Sequence, residues 1–575
     1  MALGAVPLGL VLLALLVVPV GILVVYSIWT PAFFSVVREL TIDNYIEVLG
    51  NGTYLALLGK TLVVGLVCAS LLVVLGFAMA YAITFKMPTW GSRILVLVTA
   101  TLLASYLVRI YAWKAILGDQ GILNRLLLQV GLIDQPLGFL LYGYFSIVLT
   151  LVYVYLPFSV LLIYAGLQNI DRRVFEASRD QGASRFRTLR KVTVPLAKPA
   201  LAASFAVCFI LTTADYVTPQ LVGGLRGQMV GRVVADQFGP LGNYPLGAAL
   251  ALVLVVSMAL TLGTLLLAGK GASAMLRRLE AARRRRRTDY QAPLRGTNRG
   301  LAGRIVHGMP YSELASVLVL IFLFVPVFTV VLFSFNAGNV PGLPFRGFTV
   351  RWFGEAFGDT EFRTVLWNSV QVMVVAVLAS LLVGVPAALA LTRGRFRLQG
   401  VVKAATFGPI AVPGVVIGAA LLTAFVFAGV TLGTGPTAAA HLLLLVPYVV
   451  LVVRARLLDM DPRIEEAARD LGANRARVFR TITLPLLLAP LVGAALLCAA
   501  ISFDDVVVTN FVSGTDPTVP VWILGVMRRS FTPAVNAIAV LILTASLSLI
   551  AIAALIFRRS RSDTLVDVMA GAHGG

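Results

Sequence analysis

Residues Phe175 to Leu196 read FEASRDQGASRFRTLRKVTVPL, and residues Glu465 to Leu486 read EEAARDLGANRARVFRTITLPL. From Glu176 and Glu466 onward, 12 of 21 aligned positions are identical at a separation of 290 residues. Arg179/Arg469, Asp180/Asp470, Gly182/Gly472 and Pro195/Pro485 are among them. A charged, glycine-centred phrase that recurs in this way is a built unit of the chain.

Its local chemistry spells helix, turn, helix. In the second copy Asp461 can cap a helix whose first position is Pro462, where a missing N–H costs nothing. Gly472 suits the left-handed residue that ends such a helix, and Asn474 (Ser184 in the first copy) can cap a second short helix. Pro195 and Pro485 then open the next apolar run. A plain connection needs only a few residues. The two loops, 171–195 and 461–485, therefore read as paired docking elements for a two-fold symmetric partner, the plainer alternative being a solvated hairpin that only returns the chain.

The surroundings are apolar. Of 575 residues, 59% are hydrophobic and 13% charged, against about a quarter charged in soluble domains. A spanning helix needs roughly 20 apolar residues so that every backbone polar group is bonded within it. Twelve segments qualify: 5–28, 57–85, 94–117, 144–166, 196–220, 246–269, 314–334, 365–391, 401–429, 436–456, 486–510 and 535–557. We number them spans 1 to 12. Span 1 lacks a basic flank and a small-residue cleavage site, so it reads as a retained helix.

The formal charge of +21 could point to nucleic acid, but its placement excludes that reading. With both termini on the cytoplasmic side, the inside loops hold 35 Lys/Arg and 12 Asp/Glu, and the remainder 12 and 14. That is the Lys/Arg bias of an oriented membrane protein.

The 290-residue register also pairs Pro157 with Pro447, Cys208 with Cys498, Asp215 with Asp505 and Gly224 with Gly514. Farther upstream, ASLLVVLGFAMAYA from Ala69 matches ASLLVGVPAALAL from Ala379 at 310, which places about 20 extra residues in the first copy, between Gly118 and Gly138. The chain is thus all-α, two parallel six-helix repeats, 1–270 and 311–575, as expected for halves related by an axis along the membrane normal. Residues 271–310, with RRRRR at Arg283 to Arg287, read as a basic, disordered cytoplasmic linker.

Several chemistries are absent from the pattern. Cys68, Cys208 and Cys498 fall in spans, so no disulfide framework is expected. His307, His441 and His573 lack ligand-spaced partners, so no metal site is expected. GKT at Gly59 to Thr61 is no phosphate loop, because the preceding glycine, Gly52, is misplaced and no strand precedes it. No nucleophile, acid or base grouping is present, so the chain reads as a transport subunit and not as a catalyst.

EASRDQGA and EAARDLGA, each followed by Pro-Leu, resemble the EAA loop of binding-protein-dependent ABC importer permeases. The resemblance covers nearly the whole chain. It implies a bacterial inner-membrane protein, two cytoplasmic ATPase subunits that carry ATP and magnesium, and an extracytoplasmic substrate-binding protein, with no cofactor in this chain. By the same analogy Glu176, Ala177, Asp180, Gly182 and Ala183, with Glu466, Ala467, Asp470, Gly472 and Ala473, meet the ATPases. More finely, SFDDVVVTNFVSG (from Ser502), ADYVTPQLVGG (from Ala214) and SYLVRIYAWKAILGDQGILN (from Ser105) resemble the paired spermidine and putrescine permeases, here fused head to tail. Fused permeases for ferric iron or thiamine are the alternative.

Asp215, Tyr216, Asp504 and Asp505 lie at the far ends of spans 5 and 11. Carboxylates inside a membrane are costly and usually line a polar path or find partners, so these four residues are the expected path for a cationic solute. Capping, or pairing with Arg109 or Lys114, is the competing role. A secondary transporter is disfavoured because the elaborated loops follow spans 4 and 10, whereas those after spans 2 and 8 are short.

Overall fold

The computed structural model describes residues 2–32, 35–87, 90–102, 104–171, 173–285, 310–338, 345–529, 533–545 and 547–548. Among these, nine helices are long and apolar enough to cross a membrane: Val6–Ser27, Gly52–Phe85, Tyr144–Gln168, Phe186–Ala214, Tyr244–Gly271, Leu314–Ser334, Thr360–Arg393, Thr434–Asp459 and Arg475–Asp504. They are spans 1, 2, 4 to 8, 10 and 11.

The third helix of each half departs from expectation. Span 3 is broken into helices Gly91–Thr101 and Tyr106–Leu117, the stretch Tyr106–Gln129 lying at 88° to the first limb. Span 9 is broken at Val412 and Pro413, leaving Gly414–Phe427 as its longest piece. Pro413 lacks the N–H that a continuous helix would use there. Span 12 is described as Pro533–Ala545, and the rest of 535–557 lies mostly outside the described residues.

The two halves superpose in sequence with a register that packing decides. Asn51 accepts from the Thr53 amide at 2.9 Å and Asp359 from the Glu361 amide at 2.8 Å, each capping a helix of 34 residues, and the two caps are 308 residues apart. Gly76 and Gly384, also 308 apart, face Ser159 and Val449, which are 290 apart. A Cβ would collide with Ser159 Oγ in one half and lie 2.6 Å from Val449 Cγ1 in the other. The match at 310 is therefore a coincidence between two leucine-rich strings, since the glycine that lets the helices approach fixes the register. The first half carries 18 extra residues (308 less 290) between spans 2 and 4. Helix Ile122–Gln129 lies in that stretch.

The first helix of each half crosses to the other half. Span 1 lies on spans 8 and 9: a Cβ at Gly4 would come within 2.8 Å of the Pro386 carbonyl, and Trp29 sits 6.4 Å from Phe427. Span 7 lies on the first half, with Phe322 5.5 Å from Trp113 and the Tyr153 hydroxyl donating to the Leu323 carbonyl at 3.2 Å. One buried apolar cluster consequently runs through both halves.

Beyond residue 270, span 6 continues as helix to Arg285. The stretch AMLRRLEAARRR is rich in strong helix formers, and propensity overrides its polarity. Residues 286–309 of the linker lie outside the described residues.

Candidate functional site

Spans 5 and 11 end in the same way. Asp215 (φ −66°, ψ 125°) and Asp505 (φ −68°, ψ 120°) leave the helix in extended conformation. Each carboxylate then turns forward to cap the next segment. Asp215 accepts from the Thr218 amide at 2.9 Å and the Thr218 hydroxyl at 3.2 Å. Asp505 accepts from the Thr509 amide at 2.9 Å and the Thr509 hydroxyl at 2.8 Å. A carboxylate that receives several hydrogen bonds can stay in an apolar setting at reduced cost.

What stands behind the two carboxylates differs. Tyr106 and Tyr155 both donate their hydroxyls to Asp215. Behind Asp505 lies His441, buried, with Nε2 2.7 Å from the Thr509 hydroxyl and Nδ1 2.7 Å from the Ser502 hydroxyl. His441 Nε2 is also 3.6 Å from the Asp505 carboxylate.

Both aspartates line one cavity of about 240 Å³ between the halves, with Tyr155 from span 4, Tyr448 from span 10, and Pro409 and Pro413 from the broken span 9. Of the four expected path residues, the structure brings Asp215 and Asp505 together here. Asp504 and Tyr216 do not line the cavity and instead join the halves. Asp504 accepts from the Tyr106 amide at 2.9 and 3.1 Å, capping the second limb of span 3. The Tyr216 hydroxyl, fully buried, reaches the Val507 carbonyl at 3.2 Å. Arg109 and Lys114 donate to the carbonyls of Val154 and Met527. Sequence reading missed Tyr106, Tyr155, Tyr448 and His441, because the partners lie in distant spans and no spacing rule connects them.

The repeated hairpins form as their caps dictate. Helix Arg173–Asp180 begins where Asp171 accepts from the Arg173 amide at 2.9 Å, and helix Pro462–Asp470 where Asp461 accepts from the Arg463 amide at 3.0 Å. The turn glycines have φ of +72° at Gly182 and +86° at Gly472, in the left-handed region that favours glycine. Asn474 caps the following segment through the Arg477 amide at 2.9 Å, and Ser184 does so more weakly through Arg187 at 3.4 Å.

That following segment is not a separate helix, as the sequence suggested. It passes through a π-helical turn, Leu189–Thr193 or Phe479–Thr483, directly into span 5 or 11. The wider turn accommodates the rings and missing amides of Pro195 and Pro485 without breaking the rod. Glu176, Ala177, Asp180 and Gly182, with Glu466, Ala467, Asp470 and Gly472, are exposed, and Ala183 and Ala473 are half-buried beneath them. The arrangement presents one charged, rigidly capped knob per half, each fused end-on to a spanning helix whose other end carries an aspartate of the cavity.

A family model described as "Binding-protein-dependent transport system inner membrane component" matches residues 2–269 and 380–562. The spermidine/putrescine permease PotC of Haemophilus influenzae is 35% identical over 240 residues, 42% of this chain and 93% of that protein. The putrescine permease PotI of Escherichia coli K12 is 32% identical over 261 residues, 44% and 92% respectively. Permease PotB of Haemophilus influenzae is 30% identical over 221 residues, 38% and 77%. Each relative spans one half of this chain, and the matches fall on separate halves. With the family match repeated in both halves, this multi-pass, predominantly helical membrane protein belongs to the inner-membrane components of binding-protein-dependent transport systems, as two such units in one polypeptide.

Proposed function

We propose that this chain forms both halves of the translocation path of an ABC importer for a small cationic solute, a polyamine such as spermidine or putrescine. The observation that carries the reading is the cavity between the halves with Asp215 and Asp505 on its wall. A paired-carboxylate wall attracts amine cations, and the attraction strengthens as water is excluded. The names of the relatives supply the same cargo independently.

Two ATPase subunits dock on the exposed hairpins at one face, and a binding protein delivers cargo at the other. ATP and magnesium reside in those partners. The N-terminus supports the orientation: Gly4 lines a cleft together with Arg469 and Arg475 of the second hairpin, so it lies at the hairpin face. That face bears the positive charge and is therefore cytoplasmic. Closure of the ATPase pair pushes the hairpins, and because each is continuous with span 5 or 11, the push reaches the aspartates.

The test is ATP hydrolysis by the reconstituted complex with its binding protein. Spermidine or putrescine raises hydrolysis under this reading. Stimulation by ferric iron or thiamine instead, with polyamines inert, refutes the cargo while leaving the importer.

A further inference from the structure

The hairpins share their exposed Glu-Ala, Asp and turn-Gly positions but differ underneath. In the first half Phe175, on the hairpin helix, packs on Phe85 at the end of span 2, with ring centroids 4.8 Å apart, and Tyr81 and Phe77 continue the aromatic row at 5.2 and 5.9 Å. By the packing register the counterparts of Phe175 and Phe85 are Glu465 and Arg393. These form an ion pair at 3.8 Å with side chains 12% and 14% exposed.

A third position changes in step. Thr483, in the π-helical turn, donates its hydroxyl to Glu465 at 2.8 Å. Its counterpart Thr193 has a buried hydroxyl with no partner among the described residues, because Phe175 offers no acceptor. Arg393 further donates to the Met460 carbonyl at 3.1 Å, and Arg469 to the Glu465 carbonyl at 3.1 Å. Inside the hairpin the polarity is reversed. Ser178 and Thr188 share a hydrogen bond at 3.0 Å in the first copy, where the second has Ala468 and buried Val478.

We infer that the two hairpins are held to their own span 2 or 8 by different forces, an aromatic clamp in the first half and an Arg393–Glu465–Thr483 polar clamp in the second, and that Arg393 and Glu465 are positioning residues for coupling. The inference rests on the docking role proposed above. An aromatic contact is soft in direction, whereas the paired charges of the second half are each held by a directional hydrogen bond, Glu465 by the Thr483 hydroxyl and Arg393 by the Met460 carbonyl, although Arg393 Nε itself has no hydrogen-bond partner among the described residues. The second hairpin is thereby tied to span 8 and, through Thr483, to the root of span 11. Removing one member leaves the other charge buried and unpaired, which costs far more than exchanging the pair for packed apolar groups.

That asymmetry supplies the test. The full complex in proteoliposomes is compared as wild type, Glu465→Ala, and the double variant Arg393→Phe with Glu465→Phe, which transplants the first half's clamp. Two readings are taken: amide hydrogen exchange of each hairpin, and polyamine uptake per ATP hydrolysed. Glu465→Ala is expected to raise exchange across 463–471 about tenfold, leave 174–181 unchanged, and lower uptake per ATP about tenfold. The double variant is expected to return both to within about threefold of wild type. Unchanged exchange in Glu465→Ala, or a double variant no better than the single, overturns the inference. Should Glu465→Ala fail to reach the membrane, an assembled double variant with wild-type exchange upholds it and an equally unassembled one overturns it. A wild-type complex without polyamine-stimulated hydrolysis would sink the cargo reading, while the exchange result still decides the clamp.

Discussion

Replacing Gly472 with valine isolates the backbone contribution to the hairpin. The residue has φ +86°, and no atom lies within 4 Å of where a Cβ would stand, so the substitution meets no steric wall. What remains is the left-handed conformation. It costs an ordinary L-residue roughly 1–2 kcal/mol, and up to about 3 for a strained β-branched one. Loss of glycine's freedom in the unfolded chain returns about 0.4–1 kcal/mol. The net penalty is about 2 kcal/mol, which lowers the ratio of correctly turned to misturned hairpin roughly 30-fold. Gly472→Asn is the control, because asparagine visits the same region at little cost. The assay titrates ATPase subunits onto each variant and records coupled hydrolysis. Valine is expected to be severely impaired and asparagine close to wild type, with both inserted in the membrane. Equal behaviour of the two variants would refute the argument that backbone conformation at this turn sets docking.

Further outcomes follow from the packing. Gly384→Ala puts a Cβ 2.6 Å from Val449 Cγ1 and 2.8 Å from Val449 Cβ and is expected to lower thermal stability by about 1–3 kcal/mol; adding Val449→Gly, which removes both atoms, should recover part of it, and no recovery would remove the close approach of spans 8 and 10 as the cause. Asp215→Asn with Asp505→Asn should slow polyamine uptake while basal hydrolysis and assembly persist, and normal uptake in the double variant would reduce both residues to caps. Cutting the chain between Arg287 and Arg295 should leave two halves that co-purify and transport, since spans 1 and 7 each pack on the opposite half; complete loss of activity with both pieces in the membrane would make the linker structural.

The hairpins were legible because capping is local. Asp461, Pro462, Gly472 and Asn474 each announce a backbone conformation within three residues, and the structure places all four in those roles. The breaks in spans 3 and 9 were hidden, because apolar composition is the same whether a segment runs straight or bends. The crossing of spans 1 and 7 was invisible for a related reason: lipid and a neighbouring helix ask for similar side chains. In the cavity, the pairing of Asp215 with Asp505 could be read from the repeat. Their supporting groups could not, because Tyr106 and His441 are 109 and 64 residues from the aspartates they support. The Arg393–Glu465 clamp left one trace, Phe175 against Glu465 directly before the matched Glu-Ala pair, and only the corrected register of span 2 gave that difference its partner.

Central to this account is that hairpins and aspartates belong to one device, joined by the unbroken rods of spans 5 and 11. The most direct measurement is ATP hydrolysis by the assembled complex as spermidine-loaded binding protein is added, in wild type and in Gly472→Val. Wild type is expected to show a saturable rise and Gly472→Val a severely reduced one, at equal amounts of each permease in the membrane. Hydrolysis that responds equally in both, or uptake that proceeds on an ion gradient with no ATPase bound, would contradict it.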